Sequence, residues 1–310
     1  MPRTPAHSQI ANRRHVSAPI SLSLAPHRRG RHGGLKPTLG FRLSNFLRLS
    51  DFGLRISLLL FAPFAALGAD NLVHAKDGSG IYGYNDTPKL PWCAYRVHDP
   101  DRPVPPRVDP GPTPVFSAPP PDALVLFDGK DLAQWQKNNW RVVDGCLETV
   151  GASNLTTTNS FGDCQLHLEW LAPANFQGAL FDQGNNGVML MGRFEIQIFE
   201  SFNEKIYPDG QAAAVYGQTP PLVNACRKPG QWQSYDIAFT APRFDGDRLV
   251  QPARVTVFHN GLLVQNNQEI YGETGHRILP QYSNKTNSGP LLLAGHHCPV
   301  RFRNLWLRRL

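Results

Sequence analysis

Apolar and polar residues alternate with a period of two in short runs from residue 122 to the end of the chain. Gly, Asn, Asp and Pro residues separate these runs at the spacing typical of a sandwich or jelly roll, and helical periodicity is nearly absent. The pattern therefore predicts an all-β domain over residues 122–310, a jelly-roll sandwich of two antiparallel sheets. The predicted strands are 123–127, 140–143, 146–149, 165–171, 187–191, 193–199, 232–240, 254–259, 262–266, 290–294 and 301–307.

Two dipeptides predict tight hairpins between neighbouring strands. Asn260-Gly261 separates two apolar runs, and Asp144-Gly145 does the same earlier in the chain. These residue pairs accept the two positive φ angles of a type I′ turn, whose twist matches that of the strands it joins.

The segment before the domain is rich in proline, with twelve prolines among the 34 residues of 88–121. Proline fixes φ and removes a hydrogen-bond donor, so residues 70–121 are predicted to form an extended arm or linker. This segment could be a solvated spacer or an arm that wraps the domain. Trp92, Tyr95 and His98 favour the wrapping arm, because a spacer has no need of them.

The first 69 residues are predicted to be a basic leader that ends in a signal peptide. Residues 1–55 hold ten Lys or Arg residues and a single acid, and an apolar run follows at 56–67, with a suitable cleavage site at 66–68. This order is typical of an exported protein, which would be periplasmic or extracellular. The apolar run is too short for a stable membrane span, although an uncleaved anchor is the alternative.

The net charge of +7 comes from that leader, because the remainder of the chain has 21 basic and 23 acidic residues. A nucleic-acid partner is therefore not expected. The cysteines form no CxxC pair, so buried thiols or one disulfide are predicted in preference to a metal or redox site. They are Cys93, Cys146, Cys164, Cys226 and Cys298.

The run 193–201 carries the clearest chemistry, because its alternation places Glu195 and Gln197 on one face of a strand. The spacing Glu-x-Gln-x-x-Glu resembles the Glu-x-Asp-x-x-Glu strand of jelly-roll glycosidases of the laminarinase type. A bulge near Phe199 would bring Glu200 to the face of Glu195. Gln in place of the central Asp makes double displacement on an unoxidised glycoside less favourable.

Several blocks occur in a fixed order over residues 122–310. They are Leu126-Phe-Asp-Gly-Lys-Asp-Leu132 with Trp135, Phe161-Gly-Asp163, His167-Leu-Glu169, Gly184-Asn-Asn-Gly187, Arg193-Phe-Glu-Ile-Gln197, Tyr216-Gly-Gln218, Trp232-Gln-Ser-Tyr-Asp-Ile237, Ala253-Arg-Val-Thr-Val257 with Asn260-Gly261, and Pro299-Val-Arg-Phe-Arg-Asn304. Together they resemble the 3-keto-disaccharide hydrolase domain family, whose members have the concanavalin A-like jelly-roll fold. The segment Ala294-Gly-His-His-Cys298 departs from the usual Gln-Asp-His-Gly of that family and leaves His296 as the matched position.

The resemblance implies a carbohydrate substrate in which C3 of the sugar is oxidised to a ketone. The ketone acidifies the proton at C2, so a base can remove it, a donor can stabilise the enolate, and the aglycone can leave from C1 with the help of an acid. Water then adds across the double bond. Such a site needs no covalent nucleophile and no obligatory cofactor, and a divalent cation such as Ca²⁺ is an open alternative.

The expected catalytic residues are Glu195, Glu200 and Gln197, and the expected substrate-binding residues are Arg193, His167, His296, Asn186, Tyr216 and Trp232. Some of these have structural alternatives. Arg193 could form an ion pair with Glu195, Glu200 could be a solvated carboxylate at a strand end, and a tryptophan such as Trp140 or Trp232 could belong to the core.

Three classes of function are consistent with this sequence. The first is an exported enzyme that cleaves 3-keto-glycosides or 3-keto-disaccharides. The second is a carbohydrate-binding, lectin-like module without catalysis, since this fold hosts both. The third is a structural adhesion domain, which predicts no sugar-sized cleft.

Overall fold

Two antiparallel sheets form the body of the chain in a computed structural model that describes residues 71–112 and 118–310. The strands are β1 (Leu72–His74), β2 (Tyr82–Tyr84), β3 (Leu124–Phe127), β4 (Arg141–Val143), β5 (Cys146–Glu148), β6 (Asn154–Phe161), β7 (Cys164–Leu171), β8 (Asn186–Leu190), β9 (Phe194–Ile198), β10 (Gln233–Thr240), β11 (Arg243–Asp245), β12 (Arg248–Gln251), β13 (Arg254–His259), β14 (Leu262–Glu269), β15 (Gly289–Gly295) and β16 (Arg301–Arg309). The predicted leader, signal peptide and cleavage site lie outside the described residues. No helix in the described ranges is long and apolar enough to cross a membrane.

The larger sheet has eight strands in the order β14-β13-β10-β7-β16-β5-β4, with β3 paired to β16, and the smaller sheet has the order β6-β15-β8-β9. Alternation turns one face of each sheet inward. Leu168 and Tyr235 of the larger sheet and Val188, Ile196 and Ile198 of the smaller sheet belong to one buried cluster. Apart from two short 3₁₀ turns, the described residues contain no helix. The predicted all-β, concanavalin A-like sandwich is confirmed.

Both predicted hairpins are present. Asn260 and Gly261 have φ angles of 53° and 83°, and Asp144 and Gly145 have φ angles of 52° and 69°. In each hairpin the residues that flank the dipeptide pair across the two strands. These angles agree with the type I′ geometry that Asn-Gly and Asp-Gly favour.

The sequence pattern did not predict β6, which lies at the edge of the smaller sheet. This strand is rich in threonine and asparagine, and its exposed positions include Asn159 and Ser160. Only Leu155, Thr157 and Phe161 are buried, so the strand lacks the alternating apolar run used for prediction. The short pairs β1–β2 and β11–β12, whose strands have three or four residues, were also missed.

The N-terminal segment 71–112 packs against the sandwich. Trp92 stacks on Tyr271 with ring centroids 3.8 Å apart, and Tyr84 of β2 is buried beside Phe199 and Tyr207 in a second apolar cluster. These contacts are those of an arm that wraps the domain, and a solvated spacer would not make them.

All five cysteines are unpaired, and three of them are buried. Of the two predicted alternatives, buried thiols or one disulfide, the structure contains the buried thiols.

We expect Asn260→Ala to lower the free energy of unfolding by about 3 kcal/mol, because it combines a strained positive φ with lost buried hydrogen bonds. The Asn260 amide accepts from Arg227 and from the Ser234 backbone N–H (2.9 Å), and donates to the Ala225 carbonyl (2.8 Å). Asp144→Ala is the matched control, because it has the same φ strain but an exposed side chain. Urea unfolding would measure both variants, and equal losses would contradict the assigned role of the amide.

Candidate active site

The outer face of the smaller sheet carries the predicted catalytic strand. In the pairing of β8 with β9, Met189 lies opposite Glu195 and Gly187 lies opposite Gln197. The intervening residue Ile196 points into the core. Glu195 and Gln197 share one face, as predicted, and because side chains alternate between faces they point away from the core.

A cleft of about 430 Å³ lies over this face. Its lining combines apolar side chains, such as Phe181 and Ile206, with polar ones, such as Glu195 and His276. Tyr84 of the N-terminal segment also lines it. The volume falls within the range typical of small-molecule sites, and contradicts the adhesion-domain interpretation, which predicted no cleft.

Glu195 is the only acidic side chain among the described residues that line the cleft. A Cβ atom at Gly187 would overlap Oε1 of Glu195, so the glycine makes room for this carboxylate. The residue is partly exposed, and no described residue donates a hydrogen bond to its carboxylate. Burial raises the pKa of Glu195 to about 8, so the group exchanges a proton near neutral pH.

Two tyrosines and a histidine form a hydrogen-bonded chain along the cleft. The Tyr207 and Tyr216 hydroxyls are 2.9 Å apart, and the Tyr216 hydroxyl is 3.0 Å from Nδ1 of His276. Burial raises the pKa of both tyrosines, which keeps their hydroxyls protonated. The backbone N–H of Tyr216 donates to the Glu195 carbonyl (3.2 Å), which ties this chain to β9.

The expected pair of Glu195 and Glu200 is not formed. Alternation continues without a bulge through Phe199, which packs beneath the N-terminal segment. Oε1 of Glu200 accepts from the backbone N–H groups of Phe202 (2.7 Å) and Asn203 (3.0 Å), and the side chain does not line the cleft. Glu200 therefore stabilises the turn that follows β9.

Arg193, which was expected to bind substrate or to pair with Glu195, does not contact the Glu195 carboxylate. Its guanidinium lies 3.1 Å from Oε1 of Glu273 and donates to the backbone carbonyls of Asn284 and Thr286. The side chain thereby holds together both ends of a loop whose residues 274–276 line the cleft. Arg193 supports the cleft wall and is not placed to bind substrate.

His167 and Trp232 lie outside the cleft, contrary to the prediction that they bind substrate. Nδ1 of His167 is 2.6 Å from Asp236, and the Trp232 ring packs against the Arg303 guanidinium at 4.0 Å. Burial alone would lower the pKa of His167, but the hydrogen bonds and charges of Asp236 and Glu169 outweigh it and raise the pKa to about 9.

The remaining predictions divide between the cleft and the interior. His296 lines the cleft, and burial lowers its pKa. Asn186 is fully buried and does not line the cleft, whereas its neighbour Asn185 does. Trp140 belongs to the core, where its Nε1 donates to the Ser153 carbonyl (3.0 Å).

Sequence reasoning missed several residues around Tyr216. Tyr207, His276 and Phe181 line the cleft, and His98 is buried behind it against Asp209. They lie outside the strands, where periodicity gives no signal, and the sequence marked only His98, as part of the wrapping arm. Among the described residues, no group of three or more His, Cys, Asp or Glu side chains is arranged to hold a metal ion.

The sandwich and its outer-face cleft define a concanavalin A-like domain. Residues 122–308 match the 3-keto-alpha-glucoside-1,2-lyase-like domain, and the chain belongs to this family.

A solved structure of a "putative glycosyl hydrolase" from Parabacteroides distasonis ATCC 8503 is 39% identical, covering 67% of this chain and 93% of that one, with a TM-score of 0.61. A second structure with the same description and organism is 21% identical, covering 61% and 99%, with a TM-score of 0.46. No curated protein matches the chain. The family and the first structure support a carbohydrate-related function.

We expect His167→Gln to lower the free energy of unfolding by about 3 kcal/mol at pH 6 and by little at pH 10. Because the folded pKa is raised, the stability that protonation contributes is fully present below the unfolded pKa and is lost as pH rises through about 9. Guanidinium unfolding at both pH values would measure this, with the exposed His297→Gln as control. An equal loss at both pH values would contradict the electrostatic origin.

Proposed function

We propose that this protein cleaves 3-keto-glycosides by ketone-assisted elimination, with Glu195 as the base. The observation that carries the proposal is a single carboxylate in the cleft with a pKa near 8, next to a chain of protonated hydroxyls. A base whose pKa lies near the working pH is well suited to proton transfer.

The number of carboxylates supports elimination over direct glycoside hydrolysis. Retaining and inverting glycosidases generally use two carboxyl groups that flank the scissile bond. Among the described residues that line the cleft, Glu195 has the only carboxylate. The Glu200 carboxylate accepts hydrogen bonds from backbone N–H groups outside the cleft. A 3-keto substrate removes the need for a second carboxylate, because its C2 proton is already acidic.

In the proposed elimination Glu195 is the base and Tyr216 is the hydrogen-bond donor. Glu195 takes the proton from C2, the C2–H electrons form the C1=C2 double bond, and the C1–O bond breaks. Tyr216, backed by Tyr207 and His276, donates a hydrogen bond to the departing oxygen, and the protonated Glu195 gives its proton to that oxygen, which restores the carboxylate. Addition of water to the double bond then gives the free 3-keto sugar. Gln197, beside Glu195 on the same face, supplies hydrogen bonds to sugar hydroxyls.

We expect Glu195→Gln to reduce aglycone release from 3-keto-glucosides by about 10²- to 10⁴-fold while retaining binding, because the base is lost and the shape is kept. Glu200→Gln is the matched control on the same strand end and is expected to keep turnover. The assay would compare keto-glucosides with their unoxidised parents, with and without chelator. Binding without cleavage by the wild type would favour the lectin-like alternative, and cleavage of the unoxidised parents would contradict ketone assistance.

The pH dependence tests the role of Glu195 separately. A base must be ionised, so kcat/KM should rise about tenfold per pH unit and level off above about pH 8. Initial rates on one keto-glucoside across pH 5.5 to 9.5 would measure this profile. A profile that falls through pH 8 would instead make Glu195 the general acid.

A further inference from the structure

We propose that His98, paired with buried Asp209, is a positioning residue for the Tyr207–Tyr216–His276 chain, so that the N-terminal segment forms an integral part of the active site. The inference builds on the proposed function, because it assigns the group that orders the hydrogen-bond donors of that site. It concerns a segment that lies before the family match at residues 122–308.

Asp209 fixes His98 through two contacts. The His98 backbone N–H donates to Oδ2 of Asp209 (3.0 Å), and Nδ1 of the ring lies 3.3 Å from Oδ1. Both side chains are completely buried. Burial opposes ionisation of Asp209, but the interactions with His98 and with Arg102, whose guanidinium is 3.5 Å away, outweigh it and lower its pKa. The carboxylate thus orients the imidazole, as an acidic partner does in catalytic dyads.

The His98 ring contacts all three members of the hydrogen-bonded chain. Its centroid lies 4.1 Å from that of Tyr207, 4.8 Å from Tyr216 and 5.2 Å from His276. Tyr207 and Tyr216 lie in the connection between β9 and β10, and His276 lies in the one between β14 and β15, so a common buried neighbour restricts their relative orientation.

The geometry of His98 is costly, which indicates a specific requirement. Its φ of 58° lies in the left-handed region, and its Nε2 is buried with no hydrogen-bond partner among the described residues. Each of these features destabilises the folded protein. Such features persist where the surrounding residues require one conformation. Here the surrounding residues are Tyr207, Tyr216 and His276, the hydrogen-bonded chain of the cleft.

The test compares His98→Gly and His98→Asn with His74→Asn, an exposed histidine of the same segment. Gly and Asn both accept a positive φ, so the backbone keeps its conformation while the ring is lost. We expect kcat on a 3-keto-glucoside to fall about 10- to 100-fold in both His98 variants with KM within about threefold, and His74→Asn to match wild type. Free imidazole should restore part of kcat in His98→Gly, because it can occupy the space left by the ring.

Unchanged kcat in the folded His98 variants would overturn the inference, as would an equal loss in His74→Asn. A readout without turnover separates this result from failure of the proposed function. The hydroxyl proton shared by Tyr216 and His276 should give a low-field NMR resonance that disappears in Tyr216→Phe and shifts in His98→Gly. A wild type that cleaves no keto-glucoside would refute the proposed function, whereas an unshifted resonance in His98→Gly would refute positioning by His98.

Discussion

The alternation of side chains along β9 is the constraint on which the site depends. Ile196 and Ile198 are completely buried between the sheets, so Glu195 must face outward. A slip of one residue in the pairing with β8 would exchange the two faces and place a carboxylate in the core. The same pairing sets Gly187 beside Glu195, where a larger residue would displace the carboxylate. Core packing therefore fixes the position of the proposed base.

The raised pKa of Glu195 depends on Arg193 forming its ion pair with another residue, Glu273. An arginine beside a carboxylate lowers the carboxylate's pKa, and would make it a weak base. Here the guanidinium is turned to Glu273 and to the loop carbonyls, so Glu195 experiences burial without a compensating cation. The arginine thus supports the cleft wall and leaves the base with a raised pKa. Arg193, just before β9, serves stability, and Glu195, within β9, serves chemistry.

Local sequence signals predicted most strands, both hairpins and the shared face of Glu195 and Gln197, because each depends on residues close in sequence. They failed for β6, whose threonine-rich edge carries little apolar signal. Glu200 was misplaced because the bulge came from a resemblance, and nothing in residues 193–201 required it. His276 could not be predicted, since irregular loops and long-range packing bring it to Tyr216. The strand β9, over which the cleft lies, could therefore be predicted from the sequence pattern. The loop residues around the cleft could not, because tertiary structure brings them together.

Aromatic burial holds the N-terminal segment against the cleft more strongly than the exposed ion pair of Arg277 does. Arg277 forms a bidentate ion pair with Asp86 at 2.8 Å, but both groups are partly exposed, and such pairs contribute about 0 to 1 kcal/mol. Complete burial of an aromatic ring such as Tyr84 contributes roughly 2 to 3 kcal/mol, and Trp92 adds a stacked contact with Tyr271. The segment therefore stays in place when salt screens its ion pair, and the cleft keeps the wall that Tyr84 provides.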